Sequence, residues 1–222
     1  MTWPTVTPAR TRGGRRSFAQ AGIQLTLPQS PFPPLAVGFF GLGTGYLVYG
    51  TQELFGYPPR DERVDLATGI WGVWMPGFMQ FITGTYLFLG LTLFGTFVAS
   101  PPLYMAALAF TAYGVHWFAL GWIRLRRADA RANVGMTVAF LLISILGIIV
   151  FFKSGDDPVG GVFIGLACVY VAEFFATLAP DIPVLRPAER ALGFFHLGTG
   201  LWLMYLVFAV ALNFILKYTL PL

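Results

Sequence analysis

Six apolar segments, each about as long as a bilayer is thick, constrain this chain more than any other feature. They lie at residues 34–55, 69–97, 103–123, 134–152, 160–178 and 191–216. A helix needs roughly 20 apolar residues to cross the hydrocarbon core. Because that core offers no water to unpaired backbone groups, such spans must be helical. We therefore predict an all-α integral membrane protein whose six transmembrane helices form a single bundle.

The composition supports one membrane domain. Only 11% of the 222 residues are charged, against roughly 25% in a soluble domain. Residues 1–29 contain four arginines and no acid, which resembles the start of a targeting peptide. The apolar segment that follows is as long as a span and lacks a convincing cleavage site. We interpret residues 1–29 as a retained basic polar arm and residues 30–222 as the six-helix domain.

Several functional classes are excluded by missing motifs. The sequence has no clustered basic face and no aromatic RNA-binding pattern, which argues against a nucleic-acid partner. The apolar segments lack paired carboxylates, a histidine-rich metal set and a serine–base pair at helical spacing. We therefore expect no enzyme, no metal and no cofactor. Cys168 is the single cysteine and cannot form an intrachain disulfide, so we interpret it as a small packing residue.

The topology follows from six spans joined by short connections, but the orientation stays open. An even number of spans places both termini on one side of the membrane. We expect this membrane to be the inner (plasma) membrane of the cell. The side with the termini carries six Lys and Arg residues: Arg10, Arg12, Arg15, Arg16, Lys153 and Lys217. The other side carries eight: Arg60, Arg63, Arg124, Arg126, Arg127, Arg131, Arg186 and Arg190. Six against eight does not fix the orientation by the positive-inside rule.

A short glycine-rich sequence occurs twice. FFGLGTG at 39–45 returns as FFHLGTG at 194–200. Glycines three or four residues apart share a helix face and permit close helix contact. The two copies are either packing helices or a pair on opposite sides of one pathway. Two G-x-x-x-G pairs, Gly41 with Gly45 and Gly161 with Gly165, predict self-association, although some pairs must serve packing within the subunit.

The third apolar segment holds the most informative polar cluster. Tyr113, His116 and Trp117 are three and four residues apart and share a helix face, with Thr111 nearby. Polar residues within a span usually face the bundle interior or a wet cavity. The cluster therefore lines a pathway, makes an interhelical hydrogen bond or belongs to an interfacial aromatic belt.

The remaining polar residues of the spans are few. We expect His196 to lie near the membrane surface. Glu53 and Glu173 lie towards span ends, where snorkelling or pairing with loops is expected rather than an ion site. No span has a lysine or arginine at its centre, so a fixed cation for anions is missing.

Three helices resemble the acetate uptake transporter family, the succinate–acetate permeases. SPFPPLAVGFFG resembles the first-helix signature N-P-[AV]-P-[LF]-G-L with its following Gly-Phe-Gly, and PGFMQFITGTYLFL resembles the Gly-Gly-x-x-Gln-x-x-x-Gly segment. LAFTAYGVHWFAL is similar to A-F-[TS]-[ST]-Y-G-x-F-W, the most specific of the three motifs. The resemblance covers residues 34 to 216. The matched residues of the second and third helices are Gly77, Gln80, Gly84, Ala109, Phe110, Thr111, Tyr113, Gly114 and Trp117.

The resemblance implies a hexamer in which each six-helix subunit conducts small monocarboxylates such as acetate. It also implies a hydrophobic constriction formed by Phe40 (Phe39 if the extra proline shifts the register), Tyr113 and Leu166. An apolar ring excludes hydrated inorganic ions, and we expect the Tyr113 hydroxyl to replace a water at the carboxylate. Further candidates for lining the pathway are Thr44, Gln80, Thr111, His116, Trp117 and Asn213.

Two other functions remain open at this point. One is a channel for a small neutral solute such as urea or ammonia. The other is a non-transporting structural subunit of a larger membrane complex.

Overall fold

The computed structural model describes residues 32–178 and 186–221. The basic arm predicted at 1–29 lies outside the described residues. Within the described ranges every regular element is a helix. Seven α-helices are present: α1 Phe32–Phe55, α2 Glu62–Gly72, α3 Met79–Thr92, α4 Pro102–Arg126, α5 Val134–Ser154, α6 Asp157–Leu178 and α7 Arg186–Leu216. A π-helical turn, Val73–Phe78, joins α2 to α3, and a 3₁₀ turn, Ala130–Asn133, precedes α5.

Four helical stretches of the described chain are long and apolar enough to cross a bilayer. They are Pro102–Arg126, Ala130–Ser154, Asp157–Leu178 and Pro187–Leu216. These stretches confirm an all-α, multi-pass membrane protein. They correspond to the third to sixth predicted spans, and the first and second spans stay predictions.

The second predicted span differs from expectation in its bounds. The helix begins at Glu62, seven residues before the predicted start, because Asp61 caps it by accepting hydrogen bonds from the backbone N–H groups of Arg63 and Val64, both at 2.8 Å. Helical structure ends at Thr92 rather than at residue 97. The π turn in between contains Pro76, whose missing N–H and bulky ring disturb a regular α-helix.

The helices close into a ring. α1 packs against α7, α7 against α6, α6 against α5, α5 against α4, α4 against α3, and α3 against α1. Each helix therefore has two neighbours and one face directed towards the axis of the ring. Side chains on these inner faces form the core and the walls of the cavities described below.

The two copies of the glycine-rich repeat lie side by side. A Cβ on Gly43 of α1 would contact the carbonyl of Gly200 on α7, and a Cβ on Gly193 of α7 would contact the backbone of Leu54 on α1. The alternative with the two copies on opposite sides of a pathway is therefore wrong, and the packing interpretation is correct. Small residues at these crossings allow the two backbones to approach.

The two G-x-x-x-G pairs also pack inside the subunit. Gly41 and Gly45 face Met75, Pro76 and Met79 in and beside the π turn. On α6, Gly165 faces Thr199 and Gly161 lies near Trp202, both of which belong to α7. Both glycine pairs therefore make contacts within the subunit, and self-association stays a prediction.

Candidate functional site

Two cavities enter the ring of helices from its opposite ends. The first, here the apolar cavity, has a volume of about 520 Å³ and is lined near its mouth by Pro102, Ser154 and Val159, where α4 begins, α5 ends and α6 begins. The second, here the polar cavity, has a volume of about 370 Å³ and is lined near its mouth by Arg124 and Thr177, where α4 and α6 end. Since neighbouring helices run in opposite directions, these two groups of helix ends lie at opposite ends of the bundle.

Only a thin layer of side chains divides the two cavities. On three helices, the side chain that lines the apolar cavity and the one that lines the polar cavity are three or four residues apart. These pairs form what we call the dividing layer: Leu42 and Tyr46 on α1, Tyr113 and His116 on α4, and Leu166 and Val169 on α6. With a rise of 1.5 Å per residue, a spacing of three or four residues corresponds to about 5–6 Å along a helix.

Three of the four residues predicted for the constriction lie together on the apolar cavity. Phe39, Tyr113 and Leu166 all line it and are all buried. Phe40 is 41% exposed on the outer surface of the bundle, whereas Phe39 is only 6% exposed. Because consecutive helical residues point about 100° apart, only one phenylalanine of the pair faces inward, and the structure places Phe39 there.

The hydroxyl of Tyr113 is held by a serine of the neighbouring helix. Tyr113 Oη and Ser144 Oγ are 3.0 Å apart, and Ser144 Oγ donates to the carbonyl of Phe140 at 2.8 Å. A serine has one hydrogen to donate, so both bonds are made together only if Tyr113 donates to Ser144. The contact of this hydroxyl with a carboxylate stays a prediction.

An aromatic cluster fixes the ring of Tyr113. Its centroid lies 5.2 Å from that of Phe140 and 5.7 Å from that of Tyr170, with the Tyr170 ring stacked on it. His116 packs against Phe140 at 4.9 Å. Offset aromatic contacts at such distances are favourable. The cluster therefore joins α4, α5 and α6 at the level of the dividing layer.

Three of the six other lining candidates face a cavity. Gln80 is fully buried and lines the apolar cavity, while His116 and Trp117 line the polar cavity. Gln80 Nε2 donates to the carbonyl of Pro76 at 2.9 Å, and its Oε1 accepts no hydrogen bond from the described part of the chain.

The remaining three candidates line neither cavity. Thr111 donates to the carbonyl of Ala107 at 2.8 Å and packs against Gly84 of α3. Asn213 makes two hydrogen bonds of 2.8 Å with the backbone of Leu220 and so holds the segment that follows α7. Thr44 is partly buried on α1 and is absent from both cavity walls.

Two glutamate–histidine pairs line the polar cavity, and the sequence interpretation missed both. Glu53 Oε2 lies 2.5 Å from His196 Nδ1, and Glu173 Oε1 lies 3.8 Å from His116 Nε2. His196 is buried inside the bundle, and its depth in the membrane stays a prediction. The glutamates contact imidazoles of other helices, so the expectation that they snorkel or pair with loops was wrong. Pairing offsets part of the cost of burying a charge. The only signal in the sequence was His196 in place of the glycine of the first repeat.

The two cavities differ in charge. The polar cavity is lined by three arginines, Arg60, Arg124 and Arg131, and by four acidic residues, Glu53, Asp129, Glu173 and Glu189. The Arg124 guanidinium lies 3.8 Å from the centroid of the Tyr49 ring and donates to Gln52 at 2.6 Å. Arg131 also binds Asp129, a residue of the connection before α5, and its hydrogen bonds lower the pKa of that carboxyl to about 2.

The apolar cavity has one charged residue among the described residues on its wall, Asp156. It lies in the connection between α5 and α6, and burial raises the pKa of its carboxyl. No group of three His, Cys, Asp or Glu residues in the described ranges is arranged to hold a metal ion.

The helices and the cavities define a multi-pass helical membrane protein with two opposed cavities and a thin layer between them. A solved structure with the same fold is that of the bacterial acetate channel SatP. It superposes with a TM-score of 0.67 at 20% sequence identity, over 85% of this chain and 97% of that one. At this level of identity, the match shows that the two proteins share a fold. No protein-family model matches the chain, and no curated protein matches it in sequence.

Proposed function

We propose that the protein is a membrane channel or transporter for small monocarboxylates such as acetate. The observation that carries this proposal is the pair of opposed cavities, which approach each other to within about one helical turn. A packed bundle without a transport role has no need of two such cavities on one axis. The fold shared with an acetate channel also supports the proposal.

The dividing layer suits a small organic acid better than an inorganic ion. Phe39, Leu42 and Leu166 present apolar surface to the solute, which excludes ions that keep their hydration shell. A methyl group is compatible with the same surface.

The proposal includes a complete six-span bundle assembled as a homo-hexamer in the inner (plasma) membrane. α1 has 24 residues and is about 36 Å long at 1.5 Å per residue. The stretch formed by α2, the π turn and α3 continues without a break from Glu62 to Thr92. Both lengths suffice to cross a bilayer and support two further spans. The mass of the protein–detergent complex tests the hexamer.

Flux of labelled acetate into proteoliposomes tests the function. We expect the protein to raise uptake well above that of protein-free vesicles. Leu166→Phe adds bulk to the dividing layer and should lower this flux about ten-fold. Ile164→Phe is the matched control, because Ile164 lies on the same helix and is 46% exposed on the outside. Gel filtration in detergent identifies variants that fail to fold. Uptake equal to that of empty vesicles would refute the proposal.

A channel for a neutral solute is the second candidate. It is favoured by the apolar cavity, whose one described charged residue, Asp156, is an acid. Urea and ammonia flux, measured with the same vesicles, separates this candidate from the first. Flux of urea without flux of acetate would favour the second.

A further inference from the structure

We infer that Arg124 is a binding site for the carboxylate group of the solute at the mouth of the polar cavity. The inference rests on the proposed function and adds a site that the helix motifs do not indicate. Arg124 lies in the last turn of α4 and lines the polar cavity. It follows His116 of the dividing layer by eight residues, which corresponds to about 12 Å along the helix. The site is therefore separate from the dividing layer.

The side chain of Arg124 is held in place by two neighbouring helices. Its exposed fraction is 11%, and its guanidinium lies over the ring of Tyr49 on α1, 3.8 Å from the ring centroid. The hydroxyl of Tyr49 in turn donates to the carbonyl of Thr68 on α2 at 3.1 Å. A guanidinium that is already stacked on a fixed ring loses little further freedom when it binds a ligand.

One nitrogen of the guanidinium is fully engaged by the protein. Nη1 donates to Gln52 Oε1 at 2.6 Å and to Thr68 Oγ1 at 3.0 Å. Both acceptors are themselves oriented. The amide nitrogen of Gln52 donates to the carbonyl of Pro58, and the hydroxyl of Thr68 donates to that of Val64. Because a terminal guanidinium nitrogen carries two hydrogens, Nη1 has none left for a ligand.

The opposite edge of the guanidinium is open. Nε and Nη2 carry the other three hydrogens and donate to no described residue. Neither atom is among the fully buried polar atoms that lack a partner in the described ranges, which are Gln80 Oε1 and His116 Nε2. Both nitrogens therefore have access to open space, and Arg124 lines the polar cavity. Two parallel N–H donors on one edge match the two oxygens of a carboxylate.

The charge of Arg124 is only partly neutralised by its surroundings. Among the described residues, the carboxylate that pairs with it belongs to Asp65, whose Oδ1 is 3.9 Å from Nη1. The same carboxylate binds Arg60, with 3.2 Å between Oδ1 and Nε and 3.4 Å between Oδ2 and Nη2. Two guanidinium groups thus share one carboxylate, which leaves one positive charge for an anionic ligand.

The acidic residues on the wall of the polar cavity have other positions. Glu189 is exposed at the start of α7. Three acids lie beside another side chain of the cavity: Glu53 beside His196, Glu173 beside His116, and Asp129 beside Arg131. Since four acids oppose three arginines, the cavity as a whole is not positively charged. The inference therefore concerns one guanidinium with free donors and not a field that attracts anions.

Ligand binding to the purified protein tests the site without any need for transport. The protein in detergent, near neutral pH, is titrated with isotope-labelled acetate and separately with acetamide, a neutral molecule of the same shape, and ligand NMR line widths report binding. Arg124→Gln removes the charge and the open donors, so acetate binding should weaken about ten-fold or more. Acetamide should bind the unmodified protein more weakly than acetate does, and its binding should respond less to the substitution.

Two further variants separate the guanidinium from its charge and from its helix. Arg124→Lys keeps the charge but lacks the planar pair of donors, and should weaken acetate binding to a smaller extent than Arg124→Gln. Arg126→Gln is the matched control, because Arg126 lies in the same turn, is exposed beside Trp122 and lines neither cavity. Acetate should bind this control as it binds the unmodified protein. In proteoliposomes, the acetate concentration at half-maximal uptake should follow the same order.

Each variant is compared per folded molecule after gel filtration, and its melting temperature reports any structural role of Arg124 separately. Should Arg124→Gln fail to fold, the comparison of Arg124→Lys with Arg126→Gln decides the matter. Unchanged acetate binding by the folded Arg124 variants overturns the inference and leaves the proposed function standing. Equal losses in Arg124→Gln and Arg126→Gln would assign the effect to net charge and overturn it as well. Binding that depends on Arg124, without acetate flux, supports the site and overturns the proposed function.

Discussion

Phe39 and Phe40 provide the sharpest test of which side chains bound the pathway. They have the same chemistry and adjacent positions, yet Phe39 lines the apolar cavity at 6% exposure and Phe40 is 41% exposed on the outside. Phe39→Ala removes a ring whose centroid lies 5.4 Å from that of Phe110 and opens the cavity beside the dividing layer. Phe40→Ala removes a ring that faces away from the cavity.

The magnitude follows from the size of the ring. Truncating a buried phenylalanine typically costs about 3–5 kcal/mol of stability, with lower values where the site borders empty space. For Phe39→Ala we expect the low end, about 3 kcal/mol, because one side of the ring already faces the cavity. For permeation, a fall of about 1.4 kcal/mol in the barrier is a ten-fold rise in rate. For a bulky acid such as benzoate, the permeation rate should rise at least ten-fold, since the removed ring is larger than a methyl group.

The assay compares labelled benzoate and acetate uptake by the two variants in proteoliposomes. We expect the ratio of benzoate to acetate flux to rise about ten-fold or more in Phe39→Ala and to stay within about two-fold in Phe40→Ala. Melting in detergent reports the stability cost separately. Equal flux ratios in the two variants, with both proteins folded, would refute the assignment of Phe39 to the pathway.

Three further predictions concern the stability of the bundle. Glu53→Gln replaces the carboxylate that faces His196 by a neutral amide and should destabilise the fold by about 1–3 kcal/mol. The melting temperature in detergent reports this change, and an unchanged value would show that the pair is not structural. Gly43→Leu should prevent close contact of α1 with α7 and abolish the monodisperse peak in gel filtration. Gly198→Leu should be tolerated, because a Cβ there meets no atom within 4 Å. A monodisperse Gly43→Leu variant beside an aggregated Gly198→Leu variant would contradict the packing. Asp61→Ala removes the cap of α2 and should cost about 0.5–2 kcal/mol, seen as faster proteolysis of the preceding loop, and unchanged proteolysis would argue against the cap.

The sequence predicted the class of fold because that class depends almost entirely on the length of the apolar segments. The bounds of the third to sixth spans were close for the same reason. The start of α2 was missed because its first turn is charged and was interpreted as a loop, although Asp61 is a good capping residue. Pro76 alone indicates an irregularity in the middle of this span, and the structure adds that Pro76 packs against Gly45 of α1.

Residues of the candidate site were named where a family motif supplied the positions. Phe39, Tyr113 and Leu166 were named from the resemblance, and the structure brings them to one cavity. Ser144 was missed because a lone serine in the most apolar helix has no motif and no periodic partner. The glutamate–histidine pairs were missed because each joins two helices that are distant in sequence, as in Glu53 with His196.

The length of a polar side chain explains which of the candidates reach a cavity. Short hydroxyls can bond the carbonyl one turn earlier on their own helix, and Thr111 does so, which leaves it no need to face water or a solute. Tyr113 and His116 are too long and rigid for that bond, so their polar atoms must meet another helix or a cavity. Gln80 does both, because its amide donates to its own helix and keeps an oxygen that accepts no hydrogen bond from the described residues. In a span of this kind, threonine is therefore a weak indicator of a pathway, and tyrosine, histidine and glutamine are stronger ones.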